Sequence, residues 1–233
     1  MNKGYSEKEF ALFSARKIVD EAVFNMASYE GNPFTFVEVK TLLDGVTVGG
    51  HKLSDQNQIL RLRRTWDELF QMVESNAFDL SKSTALQLHA ILGEHEALEW
   101  GVFRSGRVRI AGTHYTPPEP SQLEDRFDSL ITDANESGNS LDRAIRVFLE
   151  CARSQFFFDC NKRMGQFLMN GILLSNGQHI VTIPAKDKQQ YDQAMLRYYD
   201  TGDSSTITQF LELCQTKLAK GLGKSSQRGS NED

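Results

Sequence analysis

The sequence predicts an all-α fold, a helical bundle interrupted by one short β-hairpin flap, and three observations carry that expectation. Capping signals headed by serine or threonine recur ahead of apolar runs. Those runs repeat every three to four residues. Only one stretch alternates with the period of two that marks a strand.

Ser6-Glu7-Lys8-Glu9 reads as a capping box, and Phe10, Phe13, Ile18, Val19, Ala22 and Val23 follow at helical spacing, which predicts one helix to about Tyr29. Glu30-Gly31-Asn32-Pro33 ends it, because glycine suits the left-handed position after a helix and proline cannot continue one. Thr35-Phe36-Val37-Glu38 opens a short helix that Gly45 closes. Ser54 is expected to cap a longer helix through Leu60, Leu62, Trp66, Leu69, Phe70 and Val73, and a further helix covers residues 82–92. Arg107-Val108-Arg109-Ile110 then alternates, Ala111-Gly112-Thr113 turns, and Tyr115-Thr116-Pro117-Pro118 leads out. This is the hairpin, polar enough to be an exposed flap. Ser121-Gln122-Leu123-Glu124 caps a helix to about Ala134, another covers 141–152, and a loop over 154–161 leads to a helix over 162–175 that Gly177 stops. Ile180-Val181-Thr182-Ile183-Pro184 reads as extended, and helices over 187–199 and 207–220 follow. The expected organisation is an N-terminal helical region over 1–95, a core with flap and loop over 96–220, and a disordered tail over 221–233, rich in Gly, Ser, Lys and Asn.

Composition narrows the function. A chain that is 39% hydrophobic can bury a core, so wholesale disorder is excluded. Its 26 basic and 31 acidic residues give a net charge of −5, which argues against a nucleic-acid partner. The basic run Arg61-Leu62-Arg63-Arg64 reads as a solvated helix face. Cys151, Cys160 and Cys214 lack paired or metal-ligand spacing, as in a reducing compartment. The first residues carry no apolar signal, no run reaches the roughly 18 residues of a membrane span, and the expected location is cytoplasmic.

The chemistry concentrates in Gln155-Phe156-Phe157-Phe158-Asp159-Cys160-Asn161-Lys162-Arg163-Met164-Gly165-Gln166. A helix starting here aims free N–H groups and a positive dipole end at an anion. Lys162 and Arg163 sit at the end where cations disfavour the helix, which makes sense if a phosphate lies between them. Asp159 is placed to hold a Mg²⁺ that shares the phosphate charge, and Asn161 can donate from its amide. The plain alternative is a solvated helix start with two surface cations.

This segment resembles the signature loop of the Fic family (Fic/Doc, or Fido fold), whose pattern is His-x-Phe-x-Asp/Glu-Gly/Ala-Asn-Gly/Lys-Arg-x-x-Arg. Glu30-Gly31-Asn32-Pro33-Phe34-Thr35, Gly101-Val102-Phe103-Arg104, Leu168-Met169-Asn170-Gly171 and Ile183-Pro184-Ala185-Lys186 also look like stretches of bacterial Fic proteins, so the resemblance covers about residues 8–215. It implies a Fido helical bundle. It also implies transfer of AMP from ATP, or of another nucleotide-derived group, to a protein hydroxyl; Doc-like members transfer phosphate instead. By position, Asp159 would bind Mg²⁺, and Asn161, Lys162 and Arg163, with Gln166 at the last arginine, would hold the nucleotide phosphates. Val108, Ile110, Thr113, His114 and Tyr115 would form the flap that docks a protein target by strand addition.

The sequence also departs from that family. Gln155 stands where the catalytic histidine takes the proton from the attacking hydroxyl, and loss of a placed base costs ~10²- to 10⁴-fold in rate. None of the five histidines lies in the loop; His114 on the flap is the one within conceivable reach. Cys160 replaces a small residue and reads either as a thiol activated by its cationic surroundings or as a packed one. Lys162 is Doc-like. Gln166 removes a contact to the terminal phosphate. Glu30-Gly31 matches the end of the inhibitory helix of many Fic proteins, with Met26 at its Ser/Thr position. Glu30 would then face Gln166 through a neutral hydrogen bond, a vestige of autoinhibition, or it is a plain helix-end glutamate. The sequence therefore leaves two functions open: a weak or atypical transferase, or a catalytically inactive regulator that binds nucleotide or a partner.

Overall fold

The computed structural model describes residues 5–136 and 138–228. Ten α-helices carry the fold among these residues, and no strand is present. They are α1 (Glu7–Lys17), α2 (Val19–Tyr29), α3 (Phe36–Leu43), α4 (Leu53–Glu74), α5 (Lys82–Leu92), α6 (Leu123–Glu136), α7 (Ser140–Ser154), α8 (Asn161–Ser175), α9 (Lys188–Thr201) and α10 (Ser205–Arg228). None is long and apolar enough to cross a membrane.

The architecture follows from α8. Almost every residue from Asn161 to Leu174 is buried, as expected of a helix with apolar groups all round. α7 lies along it, and α1, α4 and α5 pack on its other sides. The α7–α8 approach depends on Gly165. A Cβ there would lie 2.8 Å from Phe148 O and 3.1 Å from Cys151 Cβ, so the two backbones touch where any side chain would intrude.

The extended piece at 180–184 is buried without a sheet, and side chains supply the hydrogen bonds that a ladder would give. The amide of Asn170, wholly buried in α8, donates to Val181 O at 3.1 Å and accepts from Val181 N at 2.8 Å. From the other side Asn25 of α2 donates to Thr182 Oγ1 and accepts from Ala185 N, and Tyr29 donates to Ile183 O. These bonds fix the C-terminal end of α2 beside α8.

Several local expectations need correction. The single first helix is two, because Ile18 leaves helical geometry at φ −113°, ψ 9°. The capping boxes at Ser6 and Thr35 form, but α4 is entered from Lys52 and not from Ser54. A 3-10 turn at Pro120–Gln122, with Glu119 bonded to Gln122, replaces the Ser121 cap. The flap has its turn at Ala111-Gly112 but no strand ladder. Pro117 and Pro118 have no N–H to donate, and the Tyr115 N–H turns back to Thr113 Oγ1 at 3.0 Å. Arg61 is not on a solvated face: it is 8% exposed and paired with Glu96, while Arg63 and Arg64 stay at the surface. α10 runs past Lys220, so 221–228 is helical backbone where a disordered tail was expected; once nucleated, a helix extends at little cost per residue. Residues 229–233 of that tail lie outside the described residues.

Gly165→Ala should therefore destabilise the protein by about 1–3 kcal/mol through overpacking, against the gain in helix propensity. Urea unfolding measures this, and an unchanged or raised midpoint would refute the close approach.

Candidate functional site

The site is the connection from α7 to α8. Gln155 ends α7 in the left-handed region at φ +51°, and Cys160 opens α8 in the same region at φ +65°. A non-glycine residue there costs roughly 1–3 kcal/mol, so the loop must be held by its surroundings. Arg104, 2% exposed, provides much of that hold. Its backbone N–H donates to Phe156 O at 2.9 Å, and its guanidinium donates to Gln155 O at 2.5 Å, to Gly106 O at 2.7 Å, and to the carbonyls of Pro118 and Ser154. The cation thus sits at the negative end of α7, and it joins both ends of the flap to the start of the loop.

Two neutral side chains fix the loop's interior. Asn161 accepts from Phe157 N at 2.9 Å and donates to Phe157 O at 2.8 Å and to Gln155 Oε1 at 3.1 Å. His89, wholly buried, stacks on Phe157 with ring centroids 3.7 Å apart. Its Nδ1 accepts from Gly101 N at 3.1 Å, which leaves the proton on Nε2, 3.3 Å from Asp159 O. Burial pushes the His89 pKa down to about 4, so the ring is neutral near pH 7.

The charges meet at the first turn of α8. Arg163 is 2% exposed, and its Nη2 lies 2.7 Å from Glu96 Oε1. Glu96 also accepts from Arg61 at 2.9 Å and from Gln58 at 3.0 Å. Burial works to raise the Glu96 pKa, but the hydrogen bond and charge of Arg163, with Arg61 and Gln58, hold it at about 2. Glu30 Oε1 approaches Arg163 Nε at 3.7 Å and Lys162 Nζ at 3.9 Å. Asp159 Oδ1 accepts from Cys160 N at 2.6 Å and lies 3.6 Å from Arg163 Nη2. Arg163 Nε and Nη1 remain buried with no hydrogen-bond partner. The first N–H groups of α8 have no acceptor within the helix, so this end combines open donors with two cations.

The structure brings together Gln155, Asp159, Asn161, Lys162, Arg163 and Glu30. Two expectations change on the way, and the alternative at Cys160 is decided. Asn161 uses its side-chain donors inside the loop, which leaves its backbone N–H to face an anion. Gln166 is buried in α8, and the ion-pair partners of Glu30 are Lys162 and Arg163 instead. The thiol of Cys160 is buried, near Leu92 O at 3.9 Å, and burial pushes its pKa up to about 12, so it is a packed thiol and not an activated nucleophile.

The flap residues gather elsewhere. Val108, Ile110, Thr113, His114 and Tyr115 line a hollow of about 650 Å³ between the two arms of the flap, and no residue of 155–166 lines it. Thr113 donates to Asp200 of α9, and the Arg153 guanidinium lies 4.3 Å from the centre of the Tyr115 ring. His114 is exposed.

Among the described residues no three His, Cys, Asp or Glu side chains are gathered as a metal cage. Mg²⁺ held with a nucleotide needs only one or two carboxylates besides phosphate and water. Asp159 meets that requirement, with its side chain 53% exposed at the mouth of α8. Sequence reasoning passed over Glu96 and His89 and mistook Arg61. The Gly101–Arg104 stretch pointed at Arg104 without its role, whereas no local pattern marks Glu96.

With this geometry in hand, the comparisons are as follows. The sequence pattern of the Fic/DOC family matches residues 79–173. The protein adenylyltransferase Fic of Drosophila grimshawi is 27% identical over 207 residues, which span 84% of this chain and 41% of that protein. Its namesake in Drosophila ananassae is 26% identical over 222 residues, 91% of this chain and 43% of the relative. The chain thus spans about two fifths of the length of these relatives. Among solved structures, Fic-1 from C. elegans has a TM-score of 0.78 at 17% identity, covering 93% of this chain and 67% of that one. A Fic domain containing signaling protein from Bacteroides thetaiotaomicron VPI-5482 has a TM-score of 0.73 at 20% identity, covering 88% and 85%. At such identities the structural likeness speaks for the fold alone, and the fold agrees with the helical bundle expected.

Two measurements test the site's electrostatics. The unfolded chain takes up a proton on histidine near pH 6.5 and folded His89 only near pH 4. The stability tied to neutral His89 is therefore complete above pH 6.5 and lost as the pH falls through 4, with a slope of at most about 1.4 kcal/mol per unit. Urea unfolding from pH 7.5 to 4.5 should show this slope reduced in His89→Gln; burial also lowers the pKa of His179, which leaves a residual slope. An identical slope in the variant would contradict the assignment. Separately, Cys160 should resist iodoacetamide at pH 8 in the folded protein and react on unfolding, read by mass spectrometry of its peptide. Fast reaction in the native state would restore the nucleophile reading.

Proposed function

This chain is a Fic/DOC family protein, and from that premise we propose that it binds a nucleotide through its phosphates at the N-terminus of α8 and transfers AMP, or another nucleotide-derived group, slowly to a protein hydroxyl. The observation that carries the reading is the buried Arg163, whose Nε and Nη1 make no hydrogen bond to protein while Lys162 and the open N–H groups of α8 stand beside it. This is a ready anion site, and the family supplies the identity of the anion. Asp159 is the carboxylate for Mg²⁺, whose chemistry is to offset charge on the phosphate oxygens.

For AMP transfer from ATP, the hydroxyl oxygen bonds to the α-phosphorus, the bond to the bridging oxygen breaks, and pyrophosphate leaves with that electron pair. The hydroxyl proton has no protein base to go to, because Gln155 is none, and it leaves to water or to the departing pyrophosphate. Gln155 Nε2 donates to Ala152 O at 2.6 Å and Gln155 Oε1 accepts from Asn161, so the amide is committed to the loop. Turnover then rests on positioning and charge, and it is weak. The target docks at the flap, in the hollow between its arms. The second reading, a nucleotide-binding regulator without turnover, is favoured by the same committed Gln155.

Calorimetric titration with ATP and Mg²⁺ tests the common part. Lys162→Ala should weaken binding about tenfold, the worth of one charged hydrogen bond, with Arg163→Ala weaker still. No binding by the wild type or by Glu30→Gln would overturn the reading. Gln155→His should raise labelled transfer to cellular protein by ~10²- to 10⁴-fold. Label in the wild type that disappears with Asp159→Ala selects the transferase, and label only after the histidine is restored selects the regulator.

A further inference from the structure

The flap carries positive charge that the protein itself does not neutralise. The carboxylates around it are already engaged. Glu119 takes up Arg107 on two nitrogens, with Oε1 2.9 Å from Nη2 and Oε2 2.9 Å from Nε. Asp200 accepts from Thr113 at the turn of the flap. Glu150 accepts from Ser154 and lies 3.5 Å from Arg126, and Asp203 pairs with Arg197 at 2.9 Å.

Two guanidinium groups are left over. Arg109 lines the hollow between the arms, is exposed, and has no hydrogen bond or ion pair among the described residues. Arg153, at the end of α7, lies 4.3 Å from the centre of the Tyr115 ring and 5.5 Å from that of Tyr198, and its buried Nε has no acceptor. The two rings hold that cation by their electron-rich faces, and among the described residues no carboxylate pairs with it. The chain has a net charge of −5, so carboxylates outnumber cations over the whole molecule. Two arginines without a counterion at one flap run against that balance. The backbone beside them is open as well: among the described residues no hydrogen bond uses the N–H or C=O of Val108, Arg109 or Ile110. An extended segment laid along this arm can pair with those groups. Its side chains then alternate between two faces, and those on the face of Arg109 come within reach of the guanidinium.

We infer that the flap selects an acidic target segment, and that Arg109 is the residue that makes the choice by pairing with an aspartate or glutamate close to the hydroxyl to be modified. The inference rests on the reading of the flap as the docking place and names the class of substrate that this place takes. Pairing through the backbone alone accepts a segment whatever its sequence. The free guanidinium adds the discrimination: it attracts an acidic segment and repels a basic one. Arg153 adds its charge from behind Tyr115.

The test is fluorescence anisotropy of the full chain with three short labelled peptides, each carrying one threonine set among aspartates, asparagines or lysines. The aspartate peptide should bind about fivefold tighter than the asparagine one, the upper worth of one exposed ion pair, and the lysine peptide should bind weakest. The preference should shrink as salt is raised. Arg109→Glu should invert the order of the peptides, with an unchanged Tm because Arg109 bonds to no protein group. Glu119→Gln keeps an acceptor for the 3-10 turn and releases Arg107, so it should tighten the aspartate peptide further. Damage to the fold cannot produce that gain. Equal binding of the three peptides, or a preference for aspartate that survives Arg109→Glu, overturns the inference and leaves docking at the flap standing. No peptide bound at millimolar concentration overturns the acidic preference and the docking together, while the titration with ATP still decides nucleotide binding by itself.

Discussion

The ion pair between Arg163 and Glu96 is the interaction on which the rest of this structure depends. A guanidinium that is 2% exposed must have a counterion, because removing one member of a buried pair costs about 3–5 kcal/mol. Glu96 in turn requires Arg61, since a carboxylate shared by two guanidinium groups is fully used on both oxygens. Arg163 stands on α8, Arg61 on α4, and Glu96 in the segment that follows α5. The pair therefore sets where the N-terminal helices lie against the central helix, and at the same time where the buried cation at the start of α8 stands.

The loop before α8 is a second constraint. Left-handed residues at both ends, neither a glycine, give the chain its sharp return and leave the first N–H groups of α8 open. Their strain is offset by bonds from outside the loop: Arg104 on its carbonyls, His89 on Asp159 O, Asn161 across its base. Each of these groups bonds within the protein, so the loop is held in shape by protein groups alone. Preorganised donors of this kind cost no rearrangement when an anion binds. Charge around Arg163 is nearly balanced by Glu30, Glu96 and Asp159.

Much of this was legible in the sequence, and the illegible part has a physical cause. Capping boxes at Ser6 and Thr35 and the bounds of α5 and α8 are local signals, set by residues within a turn of each other, and they read correctly. The gathering of polar and cationic groups between Asp159 and Arg163 is likewise local. What could not be read depends on partners far away in the chain. Arg61 looked like a surface cation because nothing near it in sequence says that Glu96, 35 positions on, will fold over it. Glu30 was matched to Gln166 by analogy of position, whereas its carboxylate meets the two cations at the helix start. Cys160 could be read as a packed or an activated thiol from its neighbours alone, and burial decides for the packed one. The flap alternates like a hairpin, yet its strands never pair: prolines remove donors on one arm and Arg104 takes up the carbonyls of Gly106 and Pro118 at the base.

Gln155 shows that the shape of this loop does not require a base at its first position. The position has two separable jobs. Its backbone turns the chain in the left-handed region and offers its carbonyl to Arg104, and any residue that tolerates φ +51° can do that. Its side chain faces Asn161, where an amide accepts one hydrogen bond and donates another to Ala152 O. Glutamine satisfies both geometric demands and fails only the chemical one, since its oxygen does not take a proton near neutral pH. The architecture therefore needs no base at this position. Arg163 has its own structural reason to stay at the start of α8, because its pair with Glu96 lets the bundle close.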